Sequence, residues 1–308
     1  MLTLRSMFEL YPQYEYWLAA VQLGLAMLGM GATLQTRDFA AVFLGPRALL
    51  IGLGVQLLCV PLIVWGLILL LSPAPGLAVG LALCAAIPGG AMSNVFTFLA
   101  RGHIALSIAL TSVTTLACLL TTPIILGLLI AEHVPASFVM PTGQIALEIT
   151  LILLLPLVLG MLRLYFRPEG AERFARNCIR ASIFCILLIV IGAMGSGRID
   201  IEQFGLANLS VILLLALLLA LFSWLLPRWL GVDRPDSTAI NIEVTVRNGN
   251  LGLLIKASLF PALAGVADPI GDMVLFSVLV YGGFATIIGI SQIYLHGYFN
   301  KRMIEQAD

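Results

Sequence analysis

The chain has 308 residues, 60% of them hydrophobic and 10% charged, with a formal net charge of zero and a mean hydropathy of +1.06. A water-soluble domain carries roughly a quarter charged residues, so lipid must solvate most of this surface. The neutral balance excludes the basic stripe that a nucleic acid requires, and the five cysteines lie in or beside apolar runs without the paired spacing of a zinc or redox site.

The opening residues, MLTLRSMFELYPQYEY, have no long apolar core and no small-residue cleavage site, so a signal peptide is not expected. A helix needs about 20 apolar residues to cross the hydrocarbon. Nine segments meet this, at about 16–34, 46–71, 76–100, 104–130, 142–162, 179–196, 206–227, 237–262 and 271–295. They predict an all-α integral membrane fold, one transmembrane domain over 1–308 with nine helices. The linkers are short and polar: QTRD, SPAPG, ARGH, AEHVP, RLYFRPEGAERFARN, GSGRID, LGVDRPD and ADPIGD. With the N-terminus outside, the inner side collects twelve of the sixteen Lys and Arg residues (Arg37, Arg47, Arg101, Arg163, Arg167, Arg173, Arg176, Arg180, Arg228, Arg234, Lys301 and Arg302). The outer side holds only Arg5 and Arg198. Positive charge marks the cytoplasmic side, so N-out and C-in is expected, in a bacterial inner membrane.

Two spans carry their own interruptions. AAIPGGAMSNVFTFLARG places Pro88-Gly89-Gly90 in the middle of the third, and IEVTVRNGNLGLL places Glu243, Arg247, Asn248 and two glycines inside the eighth. Proline removes a helix hydrogen bond, and unwound backbone at membrane depth is tolerated only inside protein or beside a wet cavity. One interrupted helix in each half of a chain points to a transporter's binding site. Near the breaks stand Ser93, Asn94 and Thr97, then Ser107 and Thr111 four apart on the next helix, Gln56 in the second span, and Glu243, Thr245, Asn248 and Asn250. Hydroxyls, amide oxygens and one carboxylate are what a hard monovalent cation such as sodium requires. Intramembrane Ser and Thr also bond their own i−4 carbonyls or join helices. A carboxylate at mid-membrane is by default functional.

The stretches LGMGATLQTRDF, GVQLLCVP, PGGAMSNVFTFLARGHIALSIALTSVTTL and IEVTVRNGNLG resemble the bile acid:sodium symporter family. The resemblance implies inverted repeats forming two bundles: a panel of helices at about 16–34, 142–162 and 179–196, and a core over about 46–130 and 206–295 in which the two broken helices cross. It implies a first sodium site at Ser93, Asn94, Ser107, Thr111 and Glu243, and a second at Gln56, Glu243, Val244, Val246 and position 247. The family has Gln at the last position, where this chain has Arg247. A guanidinium has donors only and cannot coordinate sodium. At i+4 it is expected to pair with Glu243, either as a tethered substitute for the second sodium or as a neutralising partner with both ions lost.

Ala91 replaces a common hydroxyl and Tyr281 a frequent Asn beside the solute, with Asn94 and Asn248 as further anchors for an anion. Glu148 and Lys256, at similar depth, are a candidate panel-to-core ion pair. The expected function is secondary active transport of an organic anion, bile acid-like or a small carboxylate such as pantoate, coupled to Na+ by alternating access. The rivals are a sodium-independent carrier of similar fold and a non-transporting receptor. An enzyme is not expected, since His103, His133 and His296 lie at span ends. The expected partners are the anion and membrane lipid, with no nucleic acid and no metal beyond sodium.

Overall fold

The computed structural model describes residues 4–35, 46–135, 138–262 and 268–307, which are helical without a β-strand. In chain order the helices are α1 (Leu4–Gly31); α2, which runs Pro46–Gly54, Val55–Cys59 and Val60–Leu71; α3 (Pro75–Ala86); α4 (Ala91–Leu99); and α5 (Ile104–Ile130). They continue with α6 (Thr142–Phe166), α7 (Ala171–Gly195), α8 (Ile201–Trp229, kinked at Gly205), α9 (Arg234–Thr245), α10 (Gly249–Leu259) and α11 (Pro269–Ala307). Among the described residues six stretches are long and apolar enough to cross a membrane: Arg47–Leu71, Ile104–Ile130, Thr142–Phe166, Ala171–Gly195, Phe204–Trp229 and Pro269–Tyr298. Of the remaining expected spans, 16–34 falls mostly within α1, while 76–100 and 237–262 are each divided into two shorter helices. Residues 36–38 of the QTRD linker, Arg37 among them, lie outside the described residues, as do the side chains of Arg5, Lys301 and Arg302.

Apolar side chains face outward, and polar ones are buried among the apolar core. Leu58, Leu62, Trp65 and Leu69 line one exposed face of α2, and Leu116, Leu120, Ile124 and Leu128 one exposed face of α5. The opposite side of α5 buries Ser107, Thr111, Ser112, Thr114, Thr115 and Thr122. Exposed leucine at helical spacing over a buried polar stripe is the arrangement that lipid selects.

α1 packs along α6 and α7. The contact with α6 is backbone-close: a Cβ at Gly31 would strike the Leu157 carbonyl, and one at Gly160 the Leu28 carbonyl. Small residues at such crossings let helices approach without a hydrophobic driving force between them. A second group is formed by α3 against α5 and α11, and by α9 against α4, α5 and α8. α10 touches both groups, packing on α1 as well as α11.

Prolines shape α2 and α6. Pro61 has no N–H and its ring crowds the i−4 carbonyl, and just before it the helix widens into a π turn at Val55–Cys59, with Val60 N–H reaching back to Val55 O. Gln56 sits on that turn. Pro156 follows a similar widening at Ile149–Leu154 in α6.

Candidate ion and solute site

Each break has a local cause. The residue before a proline is pushed out of the helical region, and Ile87 before Pro88 is extended at φ −79°, ψ 147°. α3 stops there, and α4 starts after Gly90, itself extended at φ −110°, ψ 163°. In the second break Val246 (φ −95°, ψ 87°) and Asn248 (φ −77°, ψ 76°) leave the helix. Asn248 then caps α10, its side chain accepting from Leu251 N–H at 3.2 Å.

The two unwound segments cross and bond to each other. Gly90 N–H donates to Val246 O at 3.1 Å, and Asn248 N–H to Pro88 O at 2.9 Å, an isolated antiparallel bridge centred on Gly89 and Arg247. Backbone groups freed by one break thus satisfy those freed by the other, as a buried site requires. Gly89 is there for room: a Cβ at that position would lie within the Glu243 carboxylate.

Glu243, 1% exposed, points from the end of α9 into this crossing. Thr111 Oγ1 lies 2.8 Å from both carboxylate oxygens, and Ser93 Oγ is in close contact with Oε2. Ser107 Oγ is 2.8 Å from Asn94 Oδ1, and Thr111 Oγ1 is 3.3 Å from the same oxygen. All five residues expected for the first site are therefore together. Thr97, whose Oγ1 is 3.3 Å from Ser107 Oγ, joins them; its place at i+4 from Ser93 was the signal for including it.

The cluster holds more acceptors than protons. The Ser93 and Thr111 hydroxyls carry one hydrogen each, yet face Gly90 O, Ser107 O, both Glu243 oxygens and Asn94 Oδ1. Lone pairs in excess of donors, around one carboxylate in a dry interior, make a cation-shaped arrangement. The donor set, neutral oxygens with a single charge, fits sodium.

Arg247 makes no ion pair with Glu243. The i+4 argument needs a continuous helix, but α9 ends at Thr245, and the side chain turns to backbone instead. Nη2 donates to Ala85 O at 2.9 Å and to Ile87 O, and Nη1 lies 3.5 Å from Val244 O. Arg247 thus sits at the C-terminal end of α3, where carbonyls left over by the break and the helix dipole both favour a cation. Gln56 lines the same cavity, of about 10 Å³, and both polar atoms of its amide lack a partner among the described residues. Of the other residues expected at the second site, Val244 offers its carbonyl to Arg247, and Val246 gives its own to Gly90.

Tyr281 is buried, with its hydroxyl donating to Thr245 O at 2.9 Å; Ala91 is the first residue of α4. The Glu148–Lys256 pair is not formed. Lys256 Nζ meets Glu15 Oε1 and Oε2 at 2.9 and 3.1 Å, while Glu148 Oε1 accepts from Tyr16, Gln144 and Ser258. His296 is buried rather than at the rim: its Nε2 lies 2.9 Å from Asn241 Oδ1, which also accepts from Gln292 Nε2 at 2.9 Å. The i, i+4 spacing of Gln292 with His296, and of Asn241 with Thr245, was the sequence signal for this network.

Crossed broken helices around an acceptor-rich carboxylate define a membrane carrier. The family model for the sodium bile acid symporter family matches residues 20–203, a stretch that contains Gln56, Ser93, Asn94, Ser107 and Thr111 but ends before Glu243. The chain is 33% identical over 264 residues to the uncharacterized sodium-dependent transporter YocS of Bacillus subtilis, covering 84% of this chain and 81% of that protein. It is 31% identical over 245 residues to the probable chloroplastic sodium/metabolite cotransporter BASS1 of Arabidopsis thaliana (78% and 59%). It is 26% identical over 187 residues to a sodium-dependent organic anion transporter of Bos taurus (60% and 48%). The chain thus spans most of the bacterial relative and about three fifths of the plant one. It belongs to the sodium bile acid symporter family, and is a membrane transporter rather than an enzyme.

Proposed function

We propose that this chain is a secondary carrier that couples one sodium ion to one organic anion, with Arg247 standing permanently where a second cation would bind. The observation that carries the reading is the excess of acceptors around Glu243, where Thr111 Oγ1 stands 2.8 Å from both carboxylate oxygens. In this reading Ser93, Asn94, Ser107, Thr111 and Glu243 hold sodium. Arg247, with Gln56 and the Ala85, Ile87 and Val244 carbonyls around it, fills the second position.

Nine spans run from an outer N-terminus to a cytoplasmic C-terminus in a bacterial inner membrane. α1, α6 and α7 form the panel, against which the remaining helices move as a core of inverted repeats. The anion, bile acid-like or a small carboxylate such as pantoate, binds beside the crossing, where Asn94, Asn248, Ala91 and Tyr281 shape the wall and the N-termini of α4 and α10 favour negative charge. The sodium-dependent transport named for the relatives supports the coupling.

The test is uptake by proteoliposomes after an imposed sodium gradient, with a set of labelled bile acids and small carboxylates. One of these acids is expected to accumulate in sodium and not in choline. Uptake that ignores sodium refutes the coupling.

A further inference from the structure

The seam between α1 and α10 holds a group of charges that the ion site does not use. Glu15 of α1 accepts from Lys256 of α10 through both oxygens and from Arg198 Nη1 at 2.6 Å, and Arg198 Nε donates to Asp272 at the start of α11. The group is two cations and two anions, so it is neutral as a set. Beside it Ser258 of α10 donates to Glu148 of α6 at 3.0 Å and accepts from Gln144 at 3.0 Å. We propose that this network is a latch between α10 and the α1–α6–α7 group, closed in this structure and opened once in every transport cycle. The proposal rests on the alternating-access reading above.

Two seams of the same helix support it by contrast. α1 meets α6 backbone-close at Gly31 and Gly160, with one side-chain hydrogen bond across the seam, Tyr16 to Glu148 at 3.1 Å, and no ion pair among the described residues. α1 meets α10 through an ion network. Buried ion pairs add little to stability over apolar packing of the same volume, because desolvation cancels their attraction. A permanent contact in so apolar a chain has no need of four charges. A contact that must part into water does, since each member is then hydrated.

Exposure runs in one direction across the network. The Lys256 side chain is 0% exposed, Glu15 3%, Arg198 10% and Asp272 27%. A cavity of about 230 Å³, lined by Arg198, Asp200, Phe204, Asp272 and Phe276, adjoins the exposed end. Water therefore reaches the network from the Asp272 side, and Lys256 is its sealed inner end. Lys256 is eight residues from Asn248, about 12 Å along one short helix that starts at the crossing. α10 is thus a rigid link from the ion site to the latch.

The experiment uses the full chain in proteoliposomes as the double variant E15C/K256C, treated with a short, reducible bis-methanethiosulfonate cross-linker. Sodium-driven uptake is expected to fall at least tenfold on cross-linking and to return with dithiothreitol, while the natural chain given the same reagent keeps its uptake. Cross-linked protein that transports at the untreated rate overturns the latch. Should removal of the Glu15–Lys256 pair prevent folding, Q144C/S258C bridges α6 to α10, the other arm of the latch, without changing charge, and the same two outcomes decide. A natural chain with no sodium-driven uptake of any anion overturns the transport reading itself, and the latch with it; transport that survives the cross-link overturns the latch alone.

Discussion

If Arg247 stands in for a cation, removing its charge should make room for one. R247Q is the informative change, because an amide oxygen can coordinate sodium and a guanidinium cannot. Arg247 now satisfies the Ala85 and Ile87 carbonyls and approaches Val244 O. Hydrogen bonds from a charged donor are worth about 1.5–3 kcal/mol each, so R247Q in sodium-free medium should lose about 3 kcal/mol or more. Sodium at a hundred times its dissociation constant returns about 2.7 kcal/mol. The melting temperature of R247Q should therefore depend on sodium more steeply than that of the natural chain.

The transport consequence is larger. One sodium with one monoanion moves no net charge, so accumulation by the natural chain should ignore membrane voltage. Two sodium ions with one monoanion move one charge, worth about 2.3 kcal/mol per 100 mV, or a ~50-fold change in the accumulation ratio. In proteoliposomes with a valinomycin-set potential, R247Q should acquire that dependence, and its sodium Hill coefficient should rise from about one to about two. A folded, active R247Q that keeps a coefficient of one and stays indifferent to voltage refutes the substitute-cation reading. Accumulation by the natural chain that climbs with voltage refutes the one-sodium stoichiometry.

Three further outcomes follow from the same geometry. T111V keeps the side-chain shape but removes the hydroxyl that lies 2.8 Å from both Glu243 oxygens; the sodium concentration for half-maximal uptake should rise about 10- to 100-fold, the equivalent of one charge-assisted hydrogen bond. E243Q should abolish sodium dependence of both uptake and melting temperature, measured on protein that elutes as the natural chain does. G89A places a methyl group where the carboxylate lies, so it should cost about 1–3 kcal/mol as an overpacked site, with loss of the sodium-dependent thermal shift.

The breaks themselves were legible in the sequence, because their causes are local: Pro88 dictates the extended Ile87, and polar residues at membrane depth mark where the chain must unwind. The five residues that the family resemblance assigns to a first site lie together in the structure. Partners across helices were not legible. Arg247 was paired with Glu243 by helical spacing, and that spacing ends where α9 ends, at Thr245. Lys256 was paired with Glu148 by depth alone, but depth says nothing of direction around the helix. Two residues of α10 turn about 200°, so Ser258 reaches Glu148 while Lys256 reaches Glu15. Glu15 falls just before the first expected span, at about 16–34; only the packing of α1 along α6, α7 and α10 makes it an interior residue.

In the one-sodium reading, the position of Arg247 also bears on how the crossing would hold together without a second ion. A half-helix that ends at mid-membrane leaves carbonyls with no N–H to accept, each a cost that lipid cannot relieve. At the end of α3 those carbonyls belong to Ala85 and Ile87, and the guanidinium meets both. At the start of α4 and α10 the orphan groups are N–H donors, and Asn248 and the mutual backbone bridge meet some of these. The acceptor-rich corner that remains is the one around Glu243, where the side-chain donors that reach the carboxylate among the described residues are neutral hydroxyls, those of Ser93 and Thr111 closest. In the proposed reading a cation supplied from solution binds there, because the chain's own cation, Arg247, is committed to the α3 carbonyls. By the same reasoning sodium should stabilise the natural chain through Glu243 alone, so E243Q should erase its sodium-dependent melting shift, whereas R247Q should enlarge it.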